Sequence, residues 1–151
     1  MIFIVGLLVL VCAILLRFLM KPAQSRVPRS ITGRMSSHLS PGIRSQIQNQ
    51  IQLGLQLQKL GKLDSVRQGL IEIDKGLQLA LKDLVPDRQF VDQMRATTAK
   101  FPNKELADKL WSGHKVRNLL VHEVNIDLPT EQVARTVREY AEALEQFIKE
   151  Y

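Results

Sequence analysis

An arginine and a histidine stand five residues apart in the run Arg117-Asn118-Leu119-Leu120-Val121-His122. A guanidinium can hold a phosphate and stabilise charge that develops on it, and an imidazole can move a proton near neutral pH. A ribose hydroxyl could supply the nucleophile. The two residue types therefore indicate metal-independent cleavage of a phosphodiester, with RNA as the natural substrate.

A polar stripe runs along the helix predicted to carry these residues. His114, Asn118 and His122 follow one another at intervals of four, so they stack on one side, and Arg117 lies between this stripe and an apolar face. Histidines eight residues apart do not match the spacing of a metal site, and the single cysteine, Cys12, is remote in sequence. We predict no metal and no cofactor.

Arg117 also projects from the apolar face of the helix predicted over Asn103 to Val124. Burying a guanidinium without a partner costs several kcal/mol, roughly, so this arginine needs either a partner on a neighbouring helix or a place at a cleft. Asp74 lies at the edge of an apolar stripe on another helix and could pair with Arg117 across the bundle. Such a partner could lock two helices in register, orient a functional arginine, or do both.

The elements that must position these residues are helices. Apolar residues recur at helical spacing over most of the chain from Asp64 onward, and no stretch shows the alternation typical of a strand. We predict an all-α, up-and-down bundle of four helices with a core over residues 64–151. A further helix from Ile43 is predicted as a fifth, which extends the domain to residues 43–151.

The N-terminus reads as a membrane anchor. Residues 1–20 are apolar except for Arg17, and about 19 apolar residues form a helix of roughly 28 Å, enough to cross a bilayer core of about 30 Å. Basic residues follow the apolar run and none precedes it. By the positive-inside rule we predict a single-pass protein of the plasma membrane, with its N-terminus outside and its C-terminal domain in the cytoplasm.

Residues 21–42 are predicted to form a flexible basic linker, because Pro, Gly, Ser and Arg dominate there. The net charge of +6 comes from the part of the chain before Asp64, which has eight basic and no acidic residues. From Asp64 onward there are 13 basic and 15 acidic residues, a net charge of −2. Attraction of the linker to anionic lipid explains the basic residues better than nucleic-acid binding does.

The Arg-Asn-x-x-x-His motif on a late bundle helix, followed by a loop and a last amphipathic helix, resembles the HEPN superfamily. The flanking runs Leu110-Trp111-Ser112-Gly113-His114-Lys115-Val116 and Asp127-Leu128-Pro129-Thr130 resemble HEPN-like domains of bacterial type. The resemblance covers roughly Asp64 to Tyr151. Members of this family are small all-α domains, and some of them are metal-independent endoribonucleases.

The resemblance implies a homodimer in which Arg117 and His122 form the catalytic pair and Asn118 supports them. From the polar stripe and the possible pairing across the bundle, His114 and Asp74 are predicted as further supporting residues. It also implies an alternative, because other members of the family bind nucleotides, RNA or protein without catalysis. The first hypothesis is therefore an RNA-binding domain that cleaves RNA. The second is a membrane-tethered module for dimerisation or for an unidentified protein partner, in which Arg117 is structural.

Overall fold

The computed structural model describes residues 35–101, 104–122 and 128–151. In these ranges the chain forms five helices and no strand: α1 (Pro41–Lys59), α2 (Leu63–Leu84), α3 (Phe90–Thr98), α4 (Lys104–His122) and α5 (Thr130–Glu150). The all-α prediction is confirmed for this part of the chain. The predicted anchor, residues 1–20, lies outside the described residues. Within them, no helix has the length and apolar character needed to span a bilayer.

The core forms mainly between α2 and α5, whose apolar stripes follow the helical period. All seven stripe residues of α2 are fully buried: Val66, Leu70, Ile73, Leu77, Ala80, Leu81 and Leu84. Along α5 the buried residues recur in the same way: Val133, Val137, Tyr140, Ala141, Leu144, Phe147 and Ile148. Both stripes were predicted from the sequence. Burial of this continuous apolar surface is the main force that holds the helices together.

Helices α1 and α2 form a closely packed antiparallel hairpin. A Cβ atom on Gly54 would lie 2.8 Å from the carbonyl oxygen of Gly69, and one on Gly69 would lie 2.6 Å from the carbonyl oxygen of Gly54. Only glycine at both positions allows the two backbones this approach. Gly61 makes the turn between the helices with a φ of 69°, which suits glycine. Helix α1, which the sequence predicted as an additional fifth helix, is therefore part of the bundle.

The last residues of the predicted linker differ from the sequence-based expectation, because they pack on the bundle. The Ser36 amide donates to the Leu84 carbonyl, the Leu39 amide donates to Tyr151, and the side chain of Leu39 is buried. Helix α1 begins at Pro41, two residues before the predicted start at Ile43. Pro41 does not prevent this, since the first turn of a helix needs no amide donor from it.

Helix α4 is buried along its first half only. Its fully buried residues are Leu106, Leu110 and Gly113, and none of the residues 114–122 reaches that level of burial. Val121, which was predicted to share the apolar face, is 47% exposed. The half of α4 that carries Arg117 and His122 therefore lies at the surface of the described bundle.

Candidate functional site around Asp74

Asp74 is a fully buried carboxylate that receives side chains from three helices. Its Oδ1 lies 2.7 Å from His114 Nδ1 and accepts a hydrogen bond of 2.9 Å from the Tyr140 hydroxyl. Its Oδ2 accepts one of 2.6 Å from Gln78 Nε2 and lies 3.4 Å from Arg117 Nε. Asn118 joins this group through His114 and Arg117. We call these residues the Asp74 network: Asp74, Gln78, His114, Arg117, Asn118 and Tyr140.

Helix geometry explains how the members meet. Asp74 and Gln78 are one turn apart on α2, as are His114 and Asn118 on α4. Tyr140 reaches the carboxylate because α4 and α5 approach closely at Gly113. A Cβ atom at that position would lie 2.6 Å from Cδ2 of the tyrosine ring. Gly113 therefore makes room for the ring.

Asp74 is held in its ionised form. Burial alone would raise the pKa of this carboxyl group, but the hydrogen bond from His114 and the charge of that imidazole when it is protonated outweigh it, together with the weaker hydrogen bonds from Tyr140 and Gln78. The pKa of Asp74 consequently lies below its ordinary value. Burial and the neighbouring Asp74 charge raise the pKa of Tyr140 well above its ordinary value, so this hydroxyl stays protonated and donates to the carboxylate.

A chain of hydrogen bonds runs from Arg117 through Asn118 and His114 to Asp74, and the arginine fixes which atom donates at each step. A guanidinium only donates, so the Asn118 atom 2.8 Å from Arg117 Nη1 is Oδ1. The other amide atom, Nδ2, then donates to His114 Nε2 at 2.9 Å. His114 Nε2 must accept, and its Nδ1 carries the proton that is donated to Asp74. His114 is therefore neutral in this arrangement.

Arg117 has the partner on a neighbouring helix that its position demands. The side chain is 23% exposed, and its buried Nε makes an ion pair with Asp74 at 3.4 Å without the geometry of a hydrogen bond. Nη1 is bound to Asn118. The predicted pairing of Arg117 with Asp74 is thus present, and His114 and Tyr140 share the same carboxylate.

Aromatic rings cover the outer side of the network. The Phe90 ring, at the start of α3, stacks on His114 with a centroid distance of 3.9 Å and an interplanar angle of 23°. Trp111 packs edge-on against Phe90 at 6.3 Å. These contacts connect the short helix α3 to α4 and exclude water from one face of the imidazole.

His122 is placed apart from the Asp74 network. It is the last residue of α4, and its side chain is exposed. Five residues along a helix correspond to about 140° of rotation and roughly 7.5 Å of rise from Arg117. Arg117 and His122 therefore point to different sides of α4 within one chain. Of the sequence-predicted site residues, the structure brings together Asp74, His114, Arg117 and Asn118.

The chemistry available to the network is limited by its own hydrogen bonds. Both ring nitrogens of His114 are hydrogen-bonded. The Tyr140 hydroxyl is buried and its pKa is raised, so it stays protonated and is a poor nucleophile. Among the described residues, no cluster of three or more His, Cys, Asp or Glu side chains could hold a metal ion. The Nη2 edge of Arg117 and the ring of His122 remain as groups for an external ligand.

Three members of this site were not expected to be functional from the sequence. Tyr140 was predicted as a core residue, which it is, but its hydroxyl also binds Asp74. Nothing in the sequence indicated a role in the site for Gln78 or Phe90. One pattern in the sequence could have indicated a shared polar site. An aspartate on an apolar face lies one turn from a glutamine, and another helix carries His and Arg three residues apart.

Comparison of the chain with protein-family models, with curated proteins and with solved structures gave no match.

Proposed function

We propose that this chain is a non-catalytic, membrane-tethered interaction module that forms homodimers through the second half of α4. The observation that carries the proposal is the engagement of Arg117 by the Asp74 network. A phosphate-binding arginine needs its guanidinium edge free, whereas here Nε faces Asp74 and Nη1 binds Asn118. The arrangement favours a structural role for this arginine.

Charge supports the same conclusion. From Asp64 onward the chain has a net charge of −2. With Arg44, Lys59 and Lys62 included, residues 35–151 have a net charge of +1, whereas RNA-binding domains are strongly basic. Beside Gly113 and Tyr140 lies a groove of about 230 Å³. Its lining includes the carboxylates of Glu105, Asp108 and Glu139 and one ammonium group, that of Lys109, which is paired with Glu105. An RNA backbone would be repelled from that side of the network.

The surface proposed for dimerisation is the second half of α4. Val116 and Leu120 are only partly buried against the core, and Val121 is 47% exposed. Asn118, on the same turns, has both atoms of its amide group bound within the chain, which lowers the cost of covering it. A second copy of the chain would provide an apolar partner of the same kind.

The test is the oligomeric state of residues 35–151, which contain all five helices, measured by sedimentation velocity. Val121→Glu places a charge in the proposed interface and should convert a dimer to a monomer. Val91→Glu is a matched control, because Val91 on α3 is 44% exposed. A monomeric wild type, or equal effects of the two substitutions, would contradict the proposal.

RNA binding with metal-independent cleavage is a second candidate, supported by the exposed His122 and the unbound Nη2 edge of Arg117. In a dimer, these groups from the two chains could act on one phosphate. The test is cleavage of single-stranded RNA in EDTA by residues 35–151. His122→Ala should abolish the cleavage and His38→Ala, which alters another exposed histidine, should not. Absence of cleavage by the folded wild type would exclude this candidate.

A further inference from the structure

Among the described residues, the hydrogen bonds around His114 leave no side-chain acceptor for a second proton on its ring. Asn118 gives its only side-chain oxygen to Arg117 Nη1 at 2.8 Å, and it presents Nδ2 to His114 Nε2 at 2.9 Å. If Nε2 became protonated, its N–H would point at another N–H donor. The arrangement is therefore specific for the neutral imidazole.

Protonation can be accommodated only at the expense of Arg117. Asn118 could turn its amide group so that Oδ1 accepts from the protonated Nε2 of His114. That rotation would place Nδ2, a donor, against the Nη1 donor of Arg117. The amide oxygen has two lone pairs, but after this rotation it faces His114 and no longer faces Nη1 of Arg117.

The other groups around His114 favour the proton. From α2, Asp74 lies 2.7 Å from Nδ1 and would gain an ionic partner. From α3, the uncharged Phe90 ring stacks on the imidazole, and an aromatic face attracts a cation. From α5, the neutral Tyr140 hydroxyl binds the same Asp74 oxygen. On α4 itself, the positive charge of Arg117 opposes the proton, and departure of Arg117 would relieve that repulsion.

We propose that His114 is a proton-operated switch: when it is neutral it holds Arg117 Nη1 through Asn118, and when it is protonated it frees Nη1 and neutralises the Asp74 charge that Arg117 Nε faces, which together release Arg117. The side chain of His114 is 14% exposed, so water can deliver the proton. The released guanidinium would move outward on the half of α4 that lies at the surface. This inference does not depend on whether the surface binds a second copy of the chain or RNA.

The first test reads the two protonation states directly. The full chain, in detergent because of its apolar N-terminal run, would carry His38→Gln and His122→Gln so that His114 is the one remaining histidine. Long-range ¹H–¹⁵N spectra at pH 7.5 should show the neutral form with the proton on Nδ1. Between pH 7.5 and 5, a range in which histidines commonly titrate, protonation of His114 should move the guanidinium signals of Arg117 in parallel.

The second test uses Asn118→Asp in the same background. A carboxylate has two oxygens that accept, so Asp at this position can bind Arg117 Nη1 and a protonated Nε2 together. Between pH 7.5 and 5.5 the melting temperature of the chain with Asn118 should fall relative to that of the Asn118→Asp variant, by about 4 °C or more, because the carboxylate removes the conflict.

Three outcomes would overturn the switch. The neutral ring could carry its proton on Nε2, His114 could stay neutral down to pH 5, or it could become charged while the Arg117 signals stay fixed. The spectra of the chain with Asn118 distinguish these results even if the Asn118→Asp variant does not fold.

Discussion

At the scale of single residues, Asp74 is the charge on which the polar part of the core depends. Its side chain has no solvent exposure, yet four groups from three helices contact its two oxygens. A buried carboxylate is stable only while such partners remain, and loss of one of them leaves a charge without compensation. The network therefore specifies which faces of α2, α4 and α5 meet.

The pH dependence of stability follows from the lowered pKa of Asp74. Because the folded pKa lies below the unfolded value of about 3.9, the carboxylate adds to the free energy of unfolding above that pH. This contribution is lost as the pH falls through the folded pKa. Urea unfolding between pH 5 and 2.5 should show the decline, and Asp74→Asn should show a smaller one. Equal declines in the free energy of unfolding of the wild type and of Asp74→Asn would mean that a group other than Asp74 causes the acid sensitivity.

Gly113 gives a second prediction at this scale. In Gly113→Ala the new methyl group would meet the Tyr140 ring, 2.6 Å from Cδ2, so α4 and α5 must separate. We expect a loss of about 1–3 kcal/mol in the free energy of unfolding. Gly42→Ala is the matched control, because nothing lies within 4 Å of a Cβ atom there. It should be neutral or stabilising. A neutral Gly113→Ala would show that the ring can move aside.

Some residues of this site could be predicted from the sequence, and others could not. A charged residue on an apolar face is conspicuous, so Arg117 and its partner Asp74 could be inferred from helical spacing alone. The role of Tyr140 could not, because a tyrosine in an apolar stripe looks like core, and the bond between His114 and Asp74 could not, although His114 itself was predicted as a supporting residue. Hydrogen bonds between helices depend on rotation and distance, which the pattern of one sequence does not fix.

At the scale of helices, the segment before α1 is part of the folded unit. Leu39 is buried, and the backbone of Ser36 and Leu39 is bound to Leu84 and Tyr151. The Ser40 amide also donates to the Asp83 carboxylate at 2.8 Å. Pro and Ser in this stretch are typical of a linker in sequence terms, but they do not reveal that one apolar side chain anchors it.

Removal of this segment should therefore destabilise the bundle. Residues 43–151 should unfold at a lower urea concentration than residues 35–151, with a loss of about 2 kcal/mol, the order expected from burial of one leucine side chain. Leu39→Ser in the longer chain should reproduce most of the loss. Identical midpoints for the two lengths would mean that the segment does not bind the bundle in solution.

At the scale of the whole molecule, the predicted all-α bundle is confirmed over the described residues, and α1 is a full member of it. Long stripes such as Leu70 to Leu84 specify a helix and its buried face, so this level of structure is accessible from sequence. The close approach of Gly54 and Gly69 is not accessible, because a glycine inside a helix in general indicates a weaker helix and does not reveal a backbone contact with another glycine. The HEPN resemblance, the membrane anchor and the dimer stay predictions.

The measurement that tests the central claim most directly is a double-mutant cycle of Asp74→Asn and Arg117→Ala, followed by urea unfolding of residues 35–151 at pH 7. If Arg117 serves to hold the bundle through Asp74, each substitution should be destabilising and the two should be coupled by at least about 1 kcal/mol. If Arg117→Ala leaves the free energy of unfolding unchanged and the coupling is near zero, the arginine is not structural. It would then be kept for a ligand.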